Sequence, residues 1–136
     1  MEIRELNAEE LTALNDGLAL LVRVANEEHL VTFAGLQNVY DTIITDKPDI
    51  PELVISLGLG FGQQFVETGR YEWVRVSDEY GEETVISPKG YRTIASPISM
   101  IQKRIERDET IELENFYNTI DKSMTEMIVS GKYDKR

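Results

Sequence analysis

Six residues, Leu57-Gly58-Leu59-Gly60-Phe61-Gly62, constrain the fold more than any other stretch of the 136-residue chain. They fall inside a segment that otherwise reads as one helix. Asp49-Ile50-Pro51-Glu52 starts it, with Pro51 near the first turn. Leu53, Leu57, Phe61 and Phe65 then recur every four residues on one face, and Gly69 is a natural stop. Each glycine in a helix interior costs about 1 kcal/mol relative to alanine. A helix carrying three of them needs compensation, and the expected one is close approach of another backbone.

A nucleotide-binding loop is the competing reading of these glycines, and it fails on spacing. The dinucleotide fingerprint needs glycine at its first, third and sixth positions, whereas the sixth position here is Gln63. No Gly-Lys-Ser/Thr follows, which excludes a P-loop.

Flanking segments set the rest of the architecture. Asn7-Ala8-Glu9-Glu10 has the form of a capping box, and Leu11, Leu14, Leu18, Leu21, Val22 and Ala25 follow at helical spacing, predicting a helix over 8–28. Thr32 is placed to cap a second helix with Phe33, Leu36, Val39, Tyr40 and Ile43 on its apolar side, broken at Asp46-Lys47-Pro48-Asp49. After the glycine-bearing helix the period changes to two. Tyr71–Val76, Glu83–Ser87 and Tyr91–Ala95 read as strands separated by turns at Asp78–Gly81 and Pro88–Gly90. Ser96-Pro97 opens a fourth helix, and a fifth runs over about 112–129 with Leu113, Phe116, Ile120, Met124 and Met127 as its stripe. The expectation is a single α+β domain over 1–136: three N-terminal helices, a three-stranded antiparallel meander, two C-terminal helices and a loose tail over 131–136.

The combination Leu57–Gly62, Trp73, Asp78-Glu79-Tyr80-Gly81, Pro97 and Lys103-Arg104-Ile105-Glu106 resembles an uncharacterised bacterial family, domain of unknown function 3806. The resemblance covers roughly residues 50–120. It implies a bacterial source and supports the fold, and it carries no activity with it.

Composition narrows the function. The chain has no cysteine, so disulfides, thiolate zinc sites and a cysteine nucleophile are impossible. Its start, Met1-Glu2-Ile3-Arg4-Glu5, is too acidic and polar for a signal peptide, and no apolar run approaches the roughly 20 residues that span a bilayer. A cytoplasmic location is expected. The net charge of −11 argues against nucleic acid or an anionic membrane as the main partner. Residues 1–68 hold 12 acids against Arg4, Arg23 and Lys47, so the acidic field belongs mainly to the first half and steers cationic partners.

Candidate site residues cluster on the first hairpin. Val74 and Val76 share one face, the expected core side, and alternation puts Tyr71, Trp73 and Arg75 on the other. Tyr, Trp and Arg are the types enriched at binding hot spots. If helices cover one sheet face, these three form a recognition patch; if helices cover both, Trp73 is core. Asp78, Glu79, Glu82 and Glu83 crowd the turn, which is too short for a calcium loop; they read first as a solvated turn and second as a contact for a basic partner. Lys103, Arg104 and Arg107 form a basic stripe expected to neutralise acids of the first half. His29 is the one histidine and reads as a surface residue.

No catalytic, metal or cofactor set emerges. The expectation is a non-enzymatic acidic domain that binds a protein partner, in its concrete form an immunity- or antitoxin-type protein masking a basic bacterial effector. The rival is a small-ligand-binding domain or weak enzyme with a pocket between the sheet and the glycine-bearing helix. A homodimer stays open.

Overall fold

The computed structural model of the chain describes residues 1–27, 31–131 and 135–136. His29 lies outside them. In chain order the elements are β1 (Glu2–Arg4), α1 (Ala8–Ala25), α2 (Phe33–Asp46), α3 (Pro51–Val66), β2 (Tyr71–Asp78), β3 (Gly81–Pro88), α4 (Pro97–Glu106) and α5 (Leu113–Val129). The fold is α+β, with five helices and a three-stranded antiparallel sheet among the described residues.

The helices start where the caps predict. Asn7 Oδ1 accepts from the Glu10 amide and the Glu10 carboxylate accepts from the Asn7 amide, each at 2.9 Å, so the capping box closes. The Thr32 hydroxyl accepts from the Gly35 amide at 3.1 Å. The first helix stops three residues short of the expected 28, because Asn26 turns left-handed at φ 57°.

α3 is the centre of the structure. Nine of its sixteen residues are buried, including Ser56 and all three glycines. A helix buried on every side must be approached on every side, and α3 touches α1, α2, α4, α5, β2 and β3. The glycines are the contact points. A Cβ at Gly58 would lie 2.6 Å from the Ile98 Cα, so α4 rests its backbone on α3 there, as the sequence leads one to expect. At Gly62 the added atom would meet the Trp73 ring at 2.5 Å and Pro97 Cγ at 2.7 Å; at Gly60 it would meet Leu21 and Leu36 side chains. Gly17 of α1 does the reciprocal service, with Leu59 Cδ1 2.5 Å from its virtual Cβ. Around α3 the core gathers Leu36, Tyr40, Ile86, Ile101 and Leu113. Phe65 packs on Tyr71 and Tyr117 at 5.2 and 4.3 Å, and Phe61 stacks on Phe116 at 5.5 Å.

The sheet differs from the expected meander. β2 and β3 form the predicted hairpin, with Asp78 paired to Gly81. The segment Tyr91–Ala95 is not a strand: Ala95 alone bridges Ile86 through two bonds of 2.9 and 3.0 Å. The buried Ser87 hydroxyl donates to the Thr93 carbonyl at 2.7 Å and lies 3.1 Å from the Tyr91 carbonyl, curling the segment instead. The third strand is β1, which pairs antiparallel with the opposite edge of β2. The chain therefore opens on a strand rather than on helices, and three helices separate β1 from β2. The tail also departs from expectation. Residues 132–134 lie outside the described set, but Lys135 bridges Tyr91, the Arg136 amide donates to the Gly90 carbonyl at 2.8 Å, and its guanidinium pairs with Glu72.

The two sheet faces are reversed relative to the expected core. Tyr71 and Trp73 face α3 and join the main cluster. Val74, Val76 and Val85 are buried on the other face in a smaller cluster under Ile3 and Ile94.

The Gly58 contact gives a test of this packing. An added methyl against the Ile98 backbone overpacks the seam, which typically costs ~1–3 kcal/mol, against about 1 kcal/mol regained in helix propensity. Gly58→Ala is expected to lower unfolding free energy by up to about 2 kcal/mol in chemical denaturation. A raised midpoint would show that α3 and α4 are not in close contact.

Candidate functional site

Glu10 anchors the candidate site. Its carboxylate sits at the N-terminus of α1 because it closes the capping box as the third residue of the helix. The register Arg4↔Arg75 places two guanidinium groups side by side across β1 and β2. Like charges directly opposite destabilise a strand pair, and Glu10 resolves the conflict. Arg4 donates to both of its oxygens, at 2.7 and 2.9 Å, in a bidentate pair. Arg75 Nε lies 3.2 Å from Oε2. That N–H does not point at the oxygen, so the buried Nε has charge attraction but no hydrogen bond. Arg75 Nη1 donates to the Thr84 hydroxyl at 2.9 Å. Glu82 Oε2 stands 3.7 and 3.8 Å from Arg75 and Arg4, a looser pairing.

A cleft of about 300 Å³ opens beside this network, between the sheet, α1, α3 and the start of α4. Leu14, Ile55, Leu59 and Ile98 supply apolar walls; Glu10, Arg75, Glu82, Glu83 and Thr84 supply the polar side. Leu59 and Ile98 are the residues seated on Gly17 and Gly58, so the glycine contacts set the cleft's width. A second cavity of about 290 Å³ lies between α1 and α3, lined by Leu18, Leu21, Val22, Val31 and Gly60, with Gln63, Gln64 and Glu67. Its amides are already engaged: Gln63 with Trp73 and Glu67, Gln64 with the Val31 carbonyl.

The structure divides the candidate residues into two groups. Tyr71 is 2% exposed, and its hydroxyl donates to Asp121 at 2.8 Å; burial, reinforced by that bond, pushes its phenol pKa well up. Trp73 is partly buried, its indole N–H bonded to Gln63 at 2.8 Å and its ring lodged over Gly62. Neither forms a surface patch, because the face that bears them is the one α3 covers. Arg75 belongs to the cleft. Asp78, Glu79 and Glu82 are exposed at the hairpin end, beside Tyr80 at 90% exposure. Asp78 Oδ1 accepts from the Tyr80 amide at 2.8 Å and shapes the turn. Glu83 is half-buried and accepts from the Ser99 hydroxyl at 3.2 Å. Among the described residues no cation lies within ion-pair distance of Asp78, Glu79 or Glu83, and no His, Cys, Asp and Glu group has the form of a metal site. No described helix is long and apolar enough to cross a membrane.

Sequence reasoning missed Arg4 and Glu10 as site residues. The capping box made Glu10 read as a helix start, and a three-residue strand shows no alternation to reveal its partner. The basic stripe serves locally: Arg104 pairs with Glu109 at 3.2 Å and lies 5.0 Å over the Phe116 ring, while Lys103 and Arg107 are exposed.

The family model described as a domain of unknown function (DUF3806) matches residues 32–117. The chain belongs to this family. DUF3806 thus runs from the Thr32 cap through α2, α3, the hairpin and α4 into α5, and it includes α2, which the motifs in the sequence did not reach. β1 and α1, with Arg4 and Glu10, lie outside the matched span, so the cleft is lined by residues from both inside and outside it. A crystal structure from Bacteroides thetaiotaomicron VPI-5482 is similar in fold, with a TM-score of 0.69 at 14% identity over 88% of this chain. The chain spans 46% of that protein's length. No curated protein matches the sequence.

The Arg4 hydrogen bonds, helped by the Asn7 amide, hold the Glu10 carboxyl at about 2, against an ordinary 4.5. Folding therefore favours the charged form. That stabilisation is complete above about pH 4.5 and is lost as pH falls through about 2. Thermal melts from pH 2 to 6 are expected to show a shallower acid-side slope in Glu10→Gln than in the parent. Identical slopes would mean that Glu10 is unpaired in solution.

Proposed function

We propose that this domain is a non-enzymatic binding domain whose partner is a basic protein segment. The observation that carries the reading is the union of two features at one end of the molecule. The hairpin end presents Asp78, Glu79 and Glu83 with no cation among the described residues at ion-pair distance, together with an exposed Tyr80. The apolar-walled cleft opens directly beside them, with Glu82 and Glu83 on its rim. A lysine or arginine meets the carboxylates while a neighbouring apolar side chain enters between Ile55, Leu59 and Ile98. Charge of this kind speeds encounter and selects partners more than it sets affinity, and the cleft supplies the desolvated contact. Tyr71 and Trp73 act from beneath, holding β2 on α3. In its concrete form, the partner is a basic effector whose activity the domain masks, as an immunity-type protein does.

The cleft also supports a second reading. Its volume of about 300 Å³ equals the lower bound of small-ligand pockets, roughly 300–1,000 Å³. A small organic cation fits the same chemistry, and stabilisation by one metabolite class in a thermal-shift screen would favour it.

The protein-partner reading is tested at residues that carry no ion pair among the described residues. In calorimetric titration with a lysine-rich amphipathic peptide, Glu79→Lys combined with Glu83→Lys is expected to weaken binding about tenfold, or ~1.4 kcal/mol. Added salt is expected to act in the same direction. Binding indifferent to both would contradict the reading.

A further inference from the structure

The outer edge of β3 leaves backbone groups unpaired beside the cleft, and we propose that the basic partner binds there as an added β-strand. The inference rests on the protein-partner reading and specifies how that partner is held.

The parity of the β2–β3 ladder fixes which groups face outward. Ile86 turns both its N–H and its C=O to Ala95, away from β2. On the same ladder the Lys89 amide donates inward to the Arg70 carbonyl at 3.0 Å. In an antiparallel pair the direction alternates with each residue, so Thr84 and Glu82 turn outward with Ile86, as does Pro88, which has no N–H to offer. Ile86 is covered by Ala95, and the Pro88 carbonyl accepts from the Tyr91 amide at 3.1 Å. Past Ala95 the chain reaches Pro97, which starts α4; the helix stays beside β3, where the Ser99 hydroxyl donates to Glu83 at 3.2 Å, and among the described residues it gives the edge no backbone hydrogen bond. Glu82 and Thr84 therefore keep four outward backbone groups with no backbone partner among the described residues.

The side chains at these positions supply a selection rule. Glu82 and Thr84 line the cleft, as does Ile98 across from them. A strand laid along this edge continues the pleat and sends every second side chain toward Leu59 and Ile98. The intervening ones stay outside near Glu79 and Glu83. Strand addition of this type draws affinity from main-chain bonds and specificity from alternate side-chain pockets. The fitting segment is extended, with apolar and basic residues alternating.

Charge decides between occupants. A second copy pairing edge to edge would bring Glu82 and Glu83 of both chains together, and like charges directly opposite are destabilising. Charged edge strands resist self-association in this way. The same carboxylates favour a cationic strand.

The experiment compares three peptides: an acetylated, amidated hexapeptide of alternating Lys and Val, and two versions N-methylated on alternate residues, on the Lys set or on the Val set. In strand pairing one set of amides faces β3 and the other faces solvent. The parent peptide and one methylated version are expected to bind, and the other version to bind at least tenfold more weakly. Thr84→Pro is expected to weaken the parent peptide similarly, whereas Thr84→Ala, which removes the same hydroxyl from Arg75 but keeps the outward N–H, is expected to bind it like the parent protein. If both methylated peptides bind like the parent while charge reversal at Glu79 and Glu83 still weakens all three, strand addition is overturned and acidic docking stands. If the parent peptide does not bind, both fall. A protein dimer in light scattering that Thr84→Pro dissociates would overturn the proposal in favour of a second copy.

Discussion

The glycine face of α3 is the constraint on which the rest of the structure depends. A central helix normally keeps its neighbours at the distance that side chains impose, about 8–10 Å between axes. At Gly58 that spacer is missing, and the α4 backbone comes into contact. At Gly62 the Trp73 indole takes the vacant place and fastens the sheet to the same helix. The local cost in helix propensity is offset by burial of large groups on all sides of α3, among them Leu57, Phe61 and Phe65. Because Ile98 sits on Gly58 and Leu59 on Gly17, the same contacts also fix the walls of the cleft. Packing and candidate site are thus set by one feature of the sequence.

Electrostatics sets the other side of the cleft. β1 brings Arg4 beside Arg75, an arrangement that would repel by itself. Glu10 makes it favourable, and it can do so because α1 begins at that height above the sheet. A single carboxylate caps a helix, binds two arginines and joins the N-terminal segment to the DUF3806 part of the chain. With Arg4 and Arg75 engaged by Glu10 and Glu82, no cation among the described residues lies within ion-pair distance of Asp78, Glu79 or Glu83, and this is the chemical basis for proposing a cationic partner.

Much of this was legible in the sequence, and the failures have local causes. Helix starts were readable because Asn7, Thr32 and Pro51 act through bonds or geometry within their own first turn. The glycine contacts were readable because an apolar helix keeps three glycines only where neighbours press close against it. The third strand was misplaced because Tyr91–Ala95 has strand-like composition, while its curl is imposed by a buried hydroxyl, Ser87, which gives no periodic signal. β1 was missed because its pairing partner lies some seventy residues away. The sheet faces were exchanged because both are buried, one under α3 and one under Ile3 and Ile94, and alternation cannot say which cover is larger. The same ambiguity hid Tyr71 and Trp73, whereas Asp78, Glu79 and Glu82 were read correctly as exposed turn residues.

The central claim is that binding occurs where the acidic hairpin end meets the cleft. A backbone amide chemical-shift map of the isotopically labelled domain, titrated with the alternating Lys-Val hexapeptide, tests it most directly. The account predicts shifts concentrated at 78–84, with smaller ones at Glu10, Leu59 and Ile98. Shifts centred on the cavity between Leu18, Gly60 and Gln64, or on the outer faces of α2 and α5, would contradict it.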